Sequence, residues 1–188
     1  IGTVGLENAS AGGGGGYTNG NMAGVSLTNG YDIAISNRLY MGTGGINGAY
    51  VYSNGIRTSF TSCLFSDNSN GSSSSYSGLN VSSSNPTIQS CTITGNHGRG
   101  LYLVSSGVQL NGVANLPNVI YNNGNSAQTA SNGAEIYLYS HSEPLLRAQN
   151  IWDIRDEDRA GTFVYKSESS NPERLLTENC YWGDDWHN

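Results

Sequence analysis

A short template recurs along the chain: glycine, a small or apolar residue, any residue, then an aliphatic. It reads Gly24-Val25-Ser26-Leu27, Gly48-Ala49-Tyr50-Val51, Gly78-Leu79-Asn80-Val81, Gly100-Leu101-Tyr102-Leu103 and Gly133-Ala134-Glu135-Ile136, with Gly161-Thr162-Phe163-Val164 as a looser copy. The glycines are 24, 30, 22, 33 and 28 residues apart. A second landmark keeps the same irregular period. Asn37, Cys63, Cys91, Asn118, Gln149 and Asn179 each lie two places before an apolar residue, at spacings of 26, 28, 27, 31 and 30. Between the landmarks run short alternating stretches broken by Gly, Asn, Ser and Pro. Alternation puts one face inward and one outward. A unit this small, without a helix, cannot bury its inner face alone. Stacking successive units in parallel buries it and makes a solenoid.

Composition excludes the alternatives. Gly, Ser and Asn fill 75 of the 188 positions, and these residues favour turns over helices. A helical bundle or an α/β enzyme with crossover helices does not fit. Disorder does not fit either, because 12 Tyr, 3 Trp and 3 Phe accompany many Val and Ile. The net charge is −6 and Lys166 is the single lysine, which argues against nucleic acid and against an anionic membrane surface. No apolar run approaches the roughly 20 residues of a spanning helix.

Stacked in register at about 4.8 Å per coil, equivalent residues form columns. The column Leu27, Val51, Val81, Leu103, Ile136, Val164 is expected to fill the interior. The column Asn37, Cys63, Cys91, Asn118, Gln149, Asn179 is expected to be an inward ladder at a turn, its amides bonding the coils above and below. Cys63 and Cys91 fall in adjacent coils. Their spacing permits a disulfide, but parallel side chains would strain it, so free buried thiols are expected, with Cys180 unpaired.

The stretch Asn85-Pro86-Thr87-Ile88-Gln89-Ser90-Cys91-Thr92-Ile93-Thr94-Gly95-Asn96, followed by Gly100-Leu101-Tyr102-Leu103, resembles the repeat of the right-handed parallel β-helix family, the pectate-lyase-like superfold. The segment Glu178-Asn179-Cys180-Tyr181-Trp182-Gly183 is similar to the element that often closes such helices in secreted bacterial proteins. The resemblance implies an all-β, right-handed, single-stranded parallel β-helix of about six rungs. Residues 1–23 would form a Gly-rich N-terminal rung or loop, 24–183 the repeats, and 184–188 a truncated C-terminal tail. It also implies a secreted or cell-surface protein, with a polysaccharide lyase or hydrolase among the activities to weigh. This superfold hosts many functions.

Candidate sites follow from the outward positions. The third place of the template reads Ser26, Tyr50, Asn80, Tyr102, Glu135, Phe163, and the fifth Thr28, Tyr52, Ser82, Val104, Tyr137, Tyr165. With Tyr139, the residues Tyr50, Tyr52, Tyr102, Tyr137, Phe163 and Tyr165 put aromatics on one exposed sheet. Tyrosine offers an apolar ring and a hydroxyl, which suits sugar faces; aromatics also favour strands and stack across them for stability alone. Asp153, Asp156 and Asp158, with Glu157 between them, are candidate Ca2+ ligands, though Arg155 and Arg159 neutralise part of that cluster. No other cofactor is indicated. Asn96-His97-Gly98-Arg99 resembles only the His-Gly piece of related hydrolases: residues 69–95 contain no aspartate, and His97 and Arg99 are expected on a polar turn. Glu135 is expected to face outward as a lone acid without a partner for acid–base work.

The expectation is therefore a non-catalytic extracellular stalk or display module, part of a longer chain or assembly. It would bind a polysaccharide or another surface protein through the tyrosine-rich sheet, with no nucleic acid and no membrane insertion. The rivals are a polysaccharide lyase or glycoside hydrolase and a purely structural subunit of a surface assembly.

Overall fold

The computed structural model describes residues 25–28, 34–36, 39–41, 47–52, 58–68, 77–112, 116–124, 132–147, 149–152, 162–167 and 176–181. These residues form short strands and turns, with no helix among them. The strands come in successive triplets. The first is β1 (Val25–Thr28), β2 (Ala34–Ser36) and β3 (Leu39–Met41); the second is β4 (Asn47–Tyr52), β5 (Ser59–Thr61) and β6 (Leu64–Ser66). The third is β7 (Ser77–Ser82), β8 (Thr87–Gln89) and β9 (Thr92–Thr94), and the fourth β10 (Arg99–Val104), β11 (Gln109–Asn111) and β12 (Asn118–Tyr121). Then follow β13 (Ala134–Tyr139), β14 (Leu145–Arg147) and β15 (Gln149–Trp152), and last β16 (Thr162–Lys166) and β17 (Leu176–Glu178).

Each triplet places one strand in each of three sheets. The first sheet runs β1-β4-β7-β10-β13-β16, the second β2-β5-β8-β11-β14-β17 and the third β3-β6-β9-β12-β15. Neighbours pair in parallel throughout, for example Val51↔Val81 and Val81↔Leu103 in the first sheet. The described residues are all-β, and their strands stack in three parallel sheets.

The inward columns make the core. Val51, Val81, Leu103 and Leu138 are fully buried in register, as are Ala49, Leu79, Leu101 and Ile136. Phe60, Ile88, Leu110 and Leu146 do the same for the second sheet, and Phe65, Ile93 and Ile120 for the third. Phe60 and Phe65 meet edge to face, 5.5 Å between centroids. Burying each large aliphatic or aromatic side chain is worth roughly 1.5–3 kcal/mol.

Three kinds of corner join the sheets, and each uses the same device. A residue with positive φ turns the chain, and the next residue is buried. Ser83 and Ser105 precede Ser84 and Ser106; Ser62 and Ser90 precede Cys63 and Cys91; Asp67, Gly95 and Asn122 precede Asn68, Asn96 and Asn123. Short polar side chains and glycine tolerate this left-handed conformation best.

Two parts of the expected register are corrected. Leu101 pairs with Ile136 and Leu103 with Leu138, so Leu138, not Ile136, continues the Leu103 column. Val164 pairs with Ile136, and Lys166 with Leu138. The template copies at Gly133 and Gly161 are thus in register with each other but two residues out of step with the copies before them. A shift of two preserves the inward–outward alternation, which is why Ile136 is still buried.

The second correction concerns the turn ladder. Arg147 pairs with Glu178, which brings Cys180, not Asn179, to the ladder position. Asn179 instead holds φ 53°, matching Ser62 and Ser90. The Cys180 thiol lies 3.6 Å from the carbonyl oxygens of Leu146 and Glu178, as the Cys91 thiol lies 3.5 Å and 3.3 Å from those of Phe60 and Gln89. At the other end Leu39 pairs with Leu64, one residue off the alignment that equated Asn37 with Cys63; Asn37 itself lies outside the described residues.

Candidate functional site

Outward positions of the first sheet carry the tyrosines. The register gives two outward columns: Tyr50, Asn80, Tyr102, Tyr137, Tyr165, and Tyr52, Ser82, Val104, Tyr139. Tyr137 therefore stands beside Tyr102, one column away from its expected place. The strands β10, β13 and β16 bring Tyr102, Tyr137, Tyr139 and Tyr165 together. Tyr137 meets Tyr102 edge-on at 5.1 Å and stacks on Tyr165 at 5.1 Å and on Tyr139 at 6.4 Å. Tyr50 and Tyr52 stack at 6.2 Å as a separate pair on β4, with Asn80 and Ser82 of β7 between the two groups. Tyr52 and Tyr139 are exposed, at 42% and 44%, whereas Tyr137 is 9% exposed and serves as the packed centre of its group. Phe163 lies in β16; its side chain is outside the described residues.

Arg99 holds this group. It was expected on a polar turn but opens β10 and is only 6% exposed. Its guanidinium carbon sits 4.5 Å from the Tyr102 ring centroid and 4.0 Å from that of Tyr137, and Nη2 donates to Asn132 Oδ1 at 3.4 Å. Cation–π contacts of this kind gain when desolvated. Burial lowers the Arg99 pKa from its ordinary value and raises those of Tyr102 and Tyr137.

Glu135 does not join this face. It is fully buried, and its carboxylate accepts from the Asn123 backbone N–H at 2.9 Å and from Asn123 Nδ2. It closes a second ladder. Asn68 N–H and Nδ2 donate to Asn96 Oδ1 at 3.1 Å and 2.8 Å, and Asn96 N–H and Nδ2 donate to Asn123 Oδ1 at 3.2 Å and 2.7 Å. Where earlier repeats have Gly48, Gly78 and Gly100, a Cβ would meet the ladder amides of Asn68, Asn96 and Asn123 at 2.6–2.7 Å. Glu135 occupies the next equivalent place and reaches into the ladder from its own strand. Among the described strand residues of the first sheet it is the one carboxylate, so no acid–base pair forms on their outer face.

Elsewhere, Cys63 and Cys91 are buried thiols not joined in a disulfide, with Cys63 N–H donating to the Cys91 sulfur at 3.4 Å; Cys180 is likewise a thiol. The Cys63 thiol beside it and burial push the Cys91 thiol far above its usual range. Asp153, Asp156 and Asp158 lie outside the described residues. Among the described residues no group of three or more His, Cys, Asp or Glu is placed to hold a metal ion. No described helix is long and apolar enough to cross a membrane. The face thus offers rings, hydroxyls and an amide: groups that stack and form neutral hydrogen bonds. No protein-family model, no curated protein and no solved structure matches the chain.

Proposed function

We propose that this chain is a right-handed parallel β-helix that works as a non-catalytic, extracellular display module and binds a glycan through the tyrosine-bearing face of its first sheet. Support for the handedness is general: parallel strands joined by crossovers are right-handed in the great majority of cases. The observation that carries the binding reading is the tyrosine group fixed around Arg99, with Tyr139 exposed within it and Tyr52 exposed in the separate pair on β4. Rigid rings with free hydroxyls bind sugars at low entropic cost. A carboxylate pair for glycoside chemistry would need partners that the described strands of this face do not supply.

The test is affinity gel electrophoresis of the full chain in gels cast with a panel of soluble polysaccharides. Retardation by at least one polymer, weakened by Tyr139→Ala, is the expected result. Migration unaffected by every polymer would overturn the reading. Chelator-sensitive shortening of a polysaccharide would favour a lyase instead.

A further inference from the structure

Asn80 stands at the centre of this face. It lies on β7 in the outward column, with Tyr50 before it and Tyr102 after it in register. Its side chain is 9% exposed. Its Oδ1 is buried, and no donor among the described residues reaches it. An amide carbonyl left this way retains its full desolvation penalty. It is an acceptor between two tyrosines of one column that lacks a donor among the described residues.

The surroundings select that donor. The described strands of this sheet carry two cations. Arg99 is only 6% exposed and engaged with Tyr102, Tyr137 and Asn132, and Lys166 lies on β16, three strands away from β7. A carboxylate brought to Asn80 would meet the lone pairs of its carbonyl oxygen with no positive charge to offset them. A sugar hydroxyl would donate to Oδ1 while the sugar's apolar face rests against a tyrosine ring.

We propose that Asn80 is the specificity-determining acceptor of a subsite between Tyr50 and Tyr102 that takes neutral glycans and rejects uronate-containing ones. The inference rests on the glycan-binding reading above and narrows it to one chemical class.

The experiment uses the full chain in gels containing a soluble glucan, a galactomannan or polygalacturonate. The wild type is expected to be retarded by a neutral polymer and not by polygalacturonate. Asn80→Ala should weaken neutral binding about five- to tenfold, the loss of one hydrogen bond. Ser82→Ala, the next outward residue on the same strand, should stay within about twofold of the wild type. Removing an unpaired buried carbonyl should leave the melting temperature of Asn80→Ala at or above that of the wild type, which separates a lost contact from a lost fold. Undiminished binding by Asn80→Ala while Tyr102→Ala is weakened would overturn the subsite alone. Equal retardation by polygalacturonate, or a lower melting temperature for Asn80→Ala, would also overturn it. No retardation of the wild type by any polymer would remove the glycan reading and the subsite with it.

Discussion

Replacing Asn96 by alanine breaks the asparagine ladder at its middle. Asn96 is fully buried. Its Oδ1 is the acceptor for two donors of Asn68, the backbone N–H at 3.1 Å and Nδ2 at 2.8 Å. Its Nδ2 donates to the Phe65 carbonyl at 3.0 Å and to Asn123 Oδ1 at 2.7 Å. Truncation therefore removes the acceptor that Asn96 offers to both Asn68 donors and its donor to the Phe65 carbonyl, while Asn123 Oδ1 keeps the Asn96 backbone N–H. Each of these buried hydrogen bonds lost costs about 1–3 kcal/mol. The low end applies where the space left by the side chain admits water, so the total is about 3–5 kcal/mol. That is a large part of the 5–15 kcal/mol typical of a domain, and at about 2 kcal/mol per molar urea it moves the midpoint by roughly 2 M. Asn85→Ala supplies the contrast. Asn85 Oδ1 accepts from Gly107 N–H at 2.6 Å, but the site is open to water, which replaces the lost acceptor. Its loss should stay within about 0.5 kcal/mol. Urea unfolding followed by far-ultraviolet circular dichroism measures both. An Asn96→Ala loss below about 1 kcal/mol, or one no larger than that of Asn85→Ala, would refute the reasoning.

Three further outcomes follow from the same geometry. Gly78→Ala puts a Cβ 2.6 Å from Asn96 Nδ2 and 2.9 Å from Ile93 Cγ2, and should lose about 1–3 kcal/mol in the same assay through overpacking. Glu135→Ala strands the Asn123 backbone N–H and should cost about 2 kcal/mol. Glu135→Gln should cost less than about 1 kcal/mol, because one amide oxygen can accept both Asn123 donors, as Asn96 Oδ1 accepts both from Asn68. Cys91 is held protonated in the fold, while the unfolded thiol ionises near its ordinary value of 9.0. Its contribution is intact below that pH and is lost as pH rises above it, by about 1.4 kcal/mol per pH unit. The gap in unfolding free energy between wild type and Cys91→Ala should therefore shift in that direction above pH 9.0 and stay constant below it.

Much of the architecture is legible in the sequence because parallel stacking copies one pattern at a fixed period. Val51, Val81 and Leu103 could be aligned by their glycines alone, and Cys63, Cys91 and Asn118 by their spacing. The register failed at Glu135 for a physical reason. A shift of two leaves every inward residue inward, so alternation cannot detect it, and Gly133 offered a false landmark. The signal that could have exposed the slip was the acid itself, a carboxylate on a strand among apolar and aromatic residues. The asparagine ladder also left a trace. Asn68, Asn96 and Asn123 are separated by 28 and 27 residues, the same intervals as Cys63, Cys91 and Asn118. Arg99 and Asn80 were not legible in their roles, because those depend on which rings stand beside them once the strands are in register.

The central claim is that equivalent residues of successive repeats stack in parallel with this register. Methyl-to-methyl nuclear Overhauser contacts in a leucine- and valine-labelled sample test it directly. The account predicts cross-peaks linking Val51 to Val81, Val81 to Leu103 and Leu103 to Leu138, and none between Val51 and Leu103, two strand spacings or roughly 9.6 Å apart. A Val51–Leu103 contact, or the absence of the Val81–Leu103 and Leu103–Leu138 contacts, would contradict it.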